Sequence, residues 1–154
     1  MVKEGDPVPD VKLEGADGKA ISPTDFAGQK LVVYFYPKDD TSGCTAEAQA
    51  FTALADAFQK AGTWLLGVSK DSAKSHAKFT DKYGLRVPLA SDTDGSACEA
   101  FGTWVEKSMY GRKYMGIERA TFLVDRDGVV KRVWRKVKVT GHADEVLAAA
   151  RALP

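Results

Sequence analysis

The chain has 154 residues, and its 22 basic and 21 acidic side chains leave a net charge of +1, so nothing in the overall charge favours nucleic acid or an anionic membrane as the main partner. At this length one domain spanning residues 1–154 is expected, with folding burying roughly 70% of the surface the unfolded chain exposes, so no disulfide scaffold is required. The start MVKEGDPVPDVKLEG lacks the apolar core of a secretion signal and no apolar run approaches a membrane span, which points to a cytoplasmic protein.

In chain order, VKLEGADGKAIS reads as two short strands around an Asp17-Gly18 turn. Ser22 then caps a helical turn with Pro23 at its first position. KLVVYFYP is a run of β-branched and aromatic residues ended by Pro37, the pattern of a strand buried on both faces. Phe51, Leu54, Ala55 and Phe58 recur at helical spacing, so Thr45 to Ala61 is expected to form one amphipathic helix stopped by Gly62. TWLLGVS reads as a second buried strand, SAKSHAKFTDKYG as a second helix ending at Gly84, and VPLAS as a short third strand.

A short helix in GSACEAFG follows, then the irregular stretch TWVEKSMYGRKYMG, then ATFLVDRDGVVKRVW with a hairpin turn at Asp127-Gly128. A last helix places Val146, Leu147, Ala150 and Leu153 on one face. Alternation of strand and helix defines an α/β fold, a central mixed sheet flanked by helices.

Only two cysteines occur, Cys44 and Cys98, far apart and without paired spacing, and His76 and His142 stand alone, so neither a zinc site nor another metal or cofactor is expected. The thiols would act as thiols. Cys44 lies between a buried strand and a helix start, where the positive end of the backbone dipole and free N–H donors favour thiolate over thiol. Equally, a free cysteine is often a small buried hydrophobe.

Pro37, Thr41 and Cys44 form the spacing P-x-x-x-T-x-x-C, with Gly43 directly before the thiol. This segment resembles the peroxiredoxin active-site motif. The likeness continues through KYGLRVPLASDTDG, WVEKSMYGRKYMGIERATFLVDRDG and VWRKVKVTGHADEVL, and is nearest to the peroxiredoxin Q group, also called bacterioferritin comigratory proteins. The resemblance implies a thioredoxin-like fold with an added N-terminal β-hairpin, and a thiol-dependent peroxidase acting on hydrogen peroxide and small organic hydroperoxides. It makes Cys44 the peroxidatic nucleophile, Thr41 a hydroxyl serving thiolate and peroxide, Pro37 a shield over the pocket, and Arg119, in GIERATF, the cation that holds both reactants. Glu47 matches an acidic position of the family that would orient Arg119 or support the helix start. By itself the sequence allows a solvated glutamate there equally well.

In-line attack on an O–O bond needs both oxygens positioned and the charge on the leaving one stabilised, which suits hydroxyls, backbone N–H groups and a guanidinium. Attack leaves a sulfenic acid, which another thiol must return to the reduced state. Many relatives carry a resolving cysteine five residues after the first, but that position is Gln49 here; others carry it in the following helix, which has none. Cys98 remains the one resolving candidate, with a thioredoxin-type dithiol protein as reductant. If Cys98 is instead a buried structural residue, a low-molecular-weight or protein thiol reduces Cys44 directly. A protein dithiol oxidoreductase would need a second cysteine where Thr41 stands, and a peroxide sensor or holdase using Cys44 is the alternative non-enzymatic reading. The resemblance also implies a monomer, while an exposed aromatic patch would support a dimer instead.

Trp104, Tyr110 and Tyr114 alternate with Lys107, Arg112 and Lys113, a pattern able to stack on nucleic acid, but the near-neutral chain argues for a loop packed close to the pocket. His76 is expected on a helix surface and His142 near a helix N-terminus.

Overall fold

The computed structural model describes all 154 residues. Two short strands, β1 (Leu13–Gly15) and β2 (Ala20–Ile21), form the expected N-terminal hairpin. Asp17 shapes its turn by accepting the Lys19 N–H at 3.0 Å, and Gly18 takes a positive φ that a side chain would resist. Ser22 caps the 3-10 turn Pro23–Phe26, and Asp25 reaches back to accept the Ser22 N–H at 2.8 Å.

Strand β3 (Lys30–Phe35) is buried along its whole length, as its unbroken apolar run requires. It pairs in parallel with β4 (Thr63–Ser69) and antiparallel with β8 (Ala120–Val124). β5 (Leu89–Ser91) joins the other side of β4, and β9 (Val130–Trp134) follows β8 through the Asp127-Gly128 turn. The complete mixed sheet has the order β2-β1-β5-β4-β3-β8-β9.

Alternation along the strands divides the core in two. Leu31, Val33 and Phe35 face one side with Phe122 and Val68, whereas Val32, Tyr34 and Tyr36 face the other with Leu123 and Leu65. The second side receives α1 (Ser42–Ala53), α2 (Ala55–Lys60), α3 (Ala73–Tyr83) and α5 (His142–Ala152). The first receives α4 (Ser96–Phe101) and the N-terminal segment through Val2, Val8 and Leu13. No helix is long and apolar enough to cross a membrane.

Two expectations are corrected. The helix placed at Thr45 to Ala61 begins at Ser42 and is interrupted at Leu54. Thr41 is extended and acts as the cap residue, which moves the start upstream. At Leu54 the last turn tightens, its N–H bonding to the Phe51 carbonyl at 3.1 Å, and its own carbonyl then accepts the Phe58 N–H at 3.0 Å to start α2. The break keeps Phe51 and Phe58 in contact within one layer, with ring centroids 5.9 Å apart.

The second correction concerns TWVEKSMYGRKYMG, which is no irregular loop but a separate two-stranded hairpin, β6 (Trp104–Met109) with β7 (Arg112–Ile117). Its turn is Tyr110-Gly111, both at positive φ (52° and 77°), a conformation usually signalled by Asn-Gly or Asp-Gly. The Tyr-Gly pair disguised it. The hairpin is largely exposed, and Tyr110, Met109 and Met115 face solvent.

One glycine of the sheet bears on the functional side of the molecule. A β-carbon at Gly67 would lie 2.8 Å from Leu89 Cδ2 and 2.9 Å from the Tyr34 ring, which stacks on Phe51 of α1 at 4.7 Å. Bare backbone at Gly67 therefore gives Tyr34, and through it α1, its seat. Gly67→Ala is expected to destabilise the fold by about 1–3 kcal/mol, read from the urea midpoint, as overpacking of a filled interior does.

Candidate active site

Strand β3 gives way to a loop because Pro37 has no N–H with which to continue pairing. Asp40 then adopts a left-handed conformation (φ 58°), Thr41 is extended, and α1 begins at Ser42. Cys44 thus lies in the first turn of α1, where the backbone N–H groups have no partner within the helix. Its side chain is buried, at 2% exposure.

Arg119 reaches this turn from the end of the connection between β7 and β8, and its backbone carbonyl is tied down by the Val137 N–H at 3.0 Å. Its Nη2 donates to Cys44 Sγ at 3.3 Å and its Nη1 to Glu47 Oε1 at 2.7 Å. One planar guanidinium therefore bridges the sulfur and a carboxylate on the same helix. A β-carbon at Gly43 would lie 3.2 Å from Nη2, so the glycine before the thiol leaves room for the bridge.

Glu47 is 1% exposed, and its second oxygen has no hydrogen-bond partner. Burial raises its pKa and the Arg119 cation offsets part of the effect, leaving it pushed up to about 7. Burial acts to lower the pKa of Arg119, but Glu47 and Cys44 outweigh it and hold the value raised, so the guanidinium remains a cation. Lys107 of β6 stands near enough to feel the same centre: burial first, then the Arg119 charge, lower its pKa, while Cys44 acts in the opposite direction. Sequence reasoning named Lys107 only as part of an aromatic-basic pattern; what singles it out is its place on β6 within the field of Arg119 and Cys44.

The residues proposed from sequence divide into three groups. Cys44, Arg119, Glu47 and Gly43 converge. Thr41 and Pro37 occupy the adjoining loop and are exposed; the Thr41 hydroxyl donates to the Lys38 carbonyl at 2.9 Å and makes no bond to the sulfur here. Cys98 packs in the opposite layer of the core, wholly buried, its N–H donating to Asp92 at 2.8 Å. Burial, followed by Asp92, pushes its thiol up to about 12, and both cysteines are free.

The histidines also diverge. His76 is not on a surface as expected but fully buried, because α3 turns it toward Asp39 and the sheet rather than outward. His142 begins α5 as expected, with Nε2 2.8 Å from the Thr121 hydroxyl and its pKa lowered by burial.

A buried cysteine at a helix start thus meets a fixed guanidinium beside a mixed sheet that carries helices on both faces. The AhpC/TSA family matches residues 4–133. Peroxiredoxin Bcp of Xanthomonas campestris is 52% identical over 143 residues, covering 93% of this chain and 89% of that one; a Coxiella burnetii protein named putative peroxiredoxin bcp is 47% identical, covering 95% and 97%. Among solved structures, a mutant of Xylella fastidiosa PrxQ superposes with a TM-score of 0.93 at 40% identity, covering 99% and 97%. The Xanthomonas campestris bacterioferritin comigratory protein, studied for alkyl peroxide reduction, gives 0.87 at 51%, covering 92% and 90%. The chain belongs to the AhpC/TSA family, as a peroxiredoxin of the Bcp/PrxQ group.

The raised Glu47 pKa carries a testable sign. Because the folded value lies above the unfolded one, the stability Glu47 contributes is fully present below about pH 4.5 and is lost as pH rises to about 7. Relative to Glu47→Gln, the wild type should therefore lose stability across that interval and level off above it. Urea midpoints of the two proteins at closely spaced pH values would show the divergence.

Proposed function

We propose that Cys44 is the nucleophile of this peroxidase and that Arg119, Thr41 and Pro37 complete its peroxide site, with Gly43 and Glu47 in support. The observation that carries this reading is the Arg119 bridge: the same guanidinium donates to Cys44 Sγ and is fixed by Glu47. A cation against sulfur favours the anion required for attack, and its fixed fork can also receive charge developing on an oxygen. The Cys44 thiolate forms an S–O bond with the nearer peroxide oxygen as the O–O bond breaks. The departing oxygen takes up a proton and leaves as water or an alcohol, and Cys44 is left as a sulfenic acid. With the Thr41 O–H already donated to Lys38, its oxygen remains available to accept from the peroxide O–H.

The substrate class is a hydroperoxide and the reductant a thiol, as the family requires. Hydrogen peroxide and small organic hydroperoxides suit a thiol set in a tight helix start. For regeneration we favour the one-cysteine route. Cys44 and Cys98 pack in opposite layers of the core, with β3 between them, and the Cys98 thiol is held protonated by burial. An external thiol then attacks the sulfenic sulfur, releasing water and forming a mixed disulfide. A second thiol releases reduced Cys44. Since Cys44 is buried, the first turn of α1 opens for this step. Residues 1–154 work as one domain and as a monomer.

Intact mass after one equivalent of hydrogen peroxide, with a sulfenic-acid trap present, tests both halves. Wild type and Cys98→Ser are each expected to carry trapped sulfenic acid on Cys44, and Cys44→Ser none. Loss of two hydrogens in wild type, with trapping confined to Cys98→Ser, would overturn the one-cysteine route. Absence of oxidation at Cys44 would overturn its assignment as nucleophile.

A further inference from the structure

The roles proposed above leave two consecutive aspartates of the Cys44 loop unexplained, and these are the residues by which the loop is held. Asp40 is one of three non-glycine residues at positive φ, a conformation costing roughly 1–2 kcal/mol for an ordinary residue and tolerated best by Asn and Asp. It persists only where its surroundings impose it. Here they do. The Asp40 carboxylate accepts from Tyr83 Oη and from Lys82 Nζ at 2.8 Å, both at the end of α3, while Asp39 is gripped at the other end of the same helix.

The grip on Asp39 involves every group around it. Its backbone N–H donates to Asp71 Oδ2 at 2.8 Å, and that oxygen also accepts the Ser69 hydroxyl at 2.7 Å. Its Oδ1 accepts from Tyr36 Oη, and its Oδ2 accepts from Ser75 Oγ at 2.8 Å and faces His76 Nδ1 at 2.7 Å. The remaining ring nitrogen, Nε2, lies 3.1 Å from the Ala90 carbonyl oxygen. A carbonyl can only accept, so Nε2 carries a proton.

The contact between Nδ1 and Oδ2 needs a second proton. Burial would raise the Asp39 pKa, but hydrogen bonds from His76, Tyr36 and Ser75 outweigh it and hold the carboxyl below its ordinary value. Tyr36 is pushed up by burial above all, and so stays a donor.

We infer that Asp39 and His76, buried and in contact at 2.7 Å, form a latch that positions the Pro37–Thr41 loop for peroxide attack, an assignment that rests on Cys44 being the nucleophile. Asp39 and His76 are thus positioning residues of the reaction. Thr41 follows the strained Asp40 directly and is the cap residue of the helix that carries Cys44, so slack at Asp39 is transmitted to both. A displacement of about 1 Å at reacting groups can lower a rate by about 10²-fold.

Two rates at Cys44 separate positioning from general damage: single-turnover oxidation by hydrogen peroxide, and alkylation by iodoacetamide. In His76→Gln, Asp39→Asn and Tyr36→Phe, peroxide oxidation is expected to slow by about 10–100-fold while alkylation holds or quickens, because a loosened loop misplaces the peroxide yet uncovers the thiol. His76→Gln combined with Asp39→Asn should be no slower than the slower of the two alone, since His76 acts on the loop through Asp39. An unchanged oxidation rate, or the two rates falling together, would overturn the latch. If His76→Gln fails to fold, the same two rates in Tyr36→Phe, which keeps its ring in the core, decide. Failure of wild type to oxidise at Cys44 would instead remove the nucleophile assignment beneath it.

Discussion

A guanidinium does not shed its charge, so burying Arg119 against the first turn of α1 obliges the fold to place negative groups around it. Glu47 supplies one on the helix itself, and the Cys44 sulfur receives the remaining donor. The arrangement commits three elements at once. α1 must present residues 44 and 47 to one side, Gly43 must stay without a side chain, and the β7–β8 connection must end where its arginine reaches the helix start. The ion pair is costly to bury, and the raised Glu47 pKa reports that cost. What it provides is a cation held in a fixed position against the Cys44 sulfur.

The sheet behind this centre acts as a partition. Alternation along β3 sends Tyr34 and Tyr36 toward α1 and Phe35 toward α4, and with them it separates the two thiols. One is placed against a cation at a helix start. The other is packed among Phe101, Phe122 and Phe35, where burial keeps its proton on. Two residues of the same type thus acquire opposite chemical characters from environment alone.

The loop between β3 and α1 concentrates the strain of the site. Tyr36 ends the sheet pairing, Pro37 forbids its continuation, and Asp40 turns the chain through the left-handed region. Hydrogen bonds from both ends of α3 surround this short segment. A fold concerned only with stability would relax such a turn, for instance with glycine. Keeping two aspartates there instead links the loop to a neighbouring helix, and the rigidity reaches the residue that caps α1.

Much of this was legible in the sequence. The β-branched run of β3 ended by Pro37, the helical spacing after Cys44, the DG turns and the P-x-x-x-T-x-x-C spacing are local patterns, and local patterns report strand, helix and turn because they depend on side-chain period and backbone restriction alone. The Tyr110-Gly111 turn and the break at Leu54 were hidden because Tyr110 and Leu54 carry no characteristic turn chemistry; pairing and packing impose them. His76 was misplaced for the same reason, since a helical period does not say which neighbour covers a face. The sequence by itself determined the α/β class, the family and the thiol at a helix start. Only the tertiary structure decided that Glu47 is a buried partner of Arg119, that Cys98 lies in the opposite layer of the core, and that Asp39 meets His76. Those facts depend on groups far apart in the chain arriving within hydrogen-bond distance, or failing to, and no spacing along the chain encodes that distance.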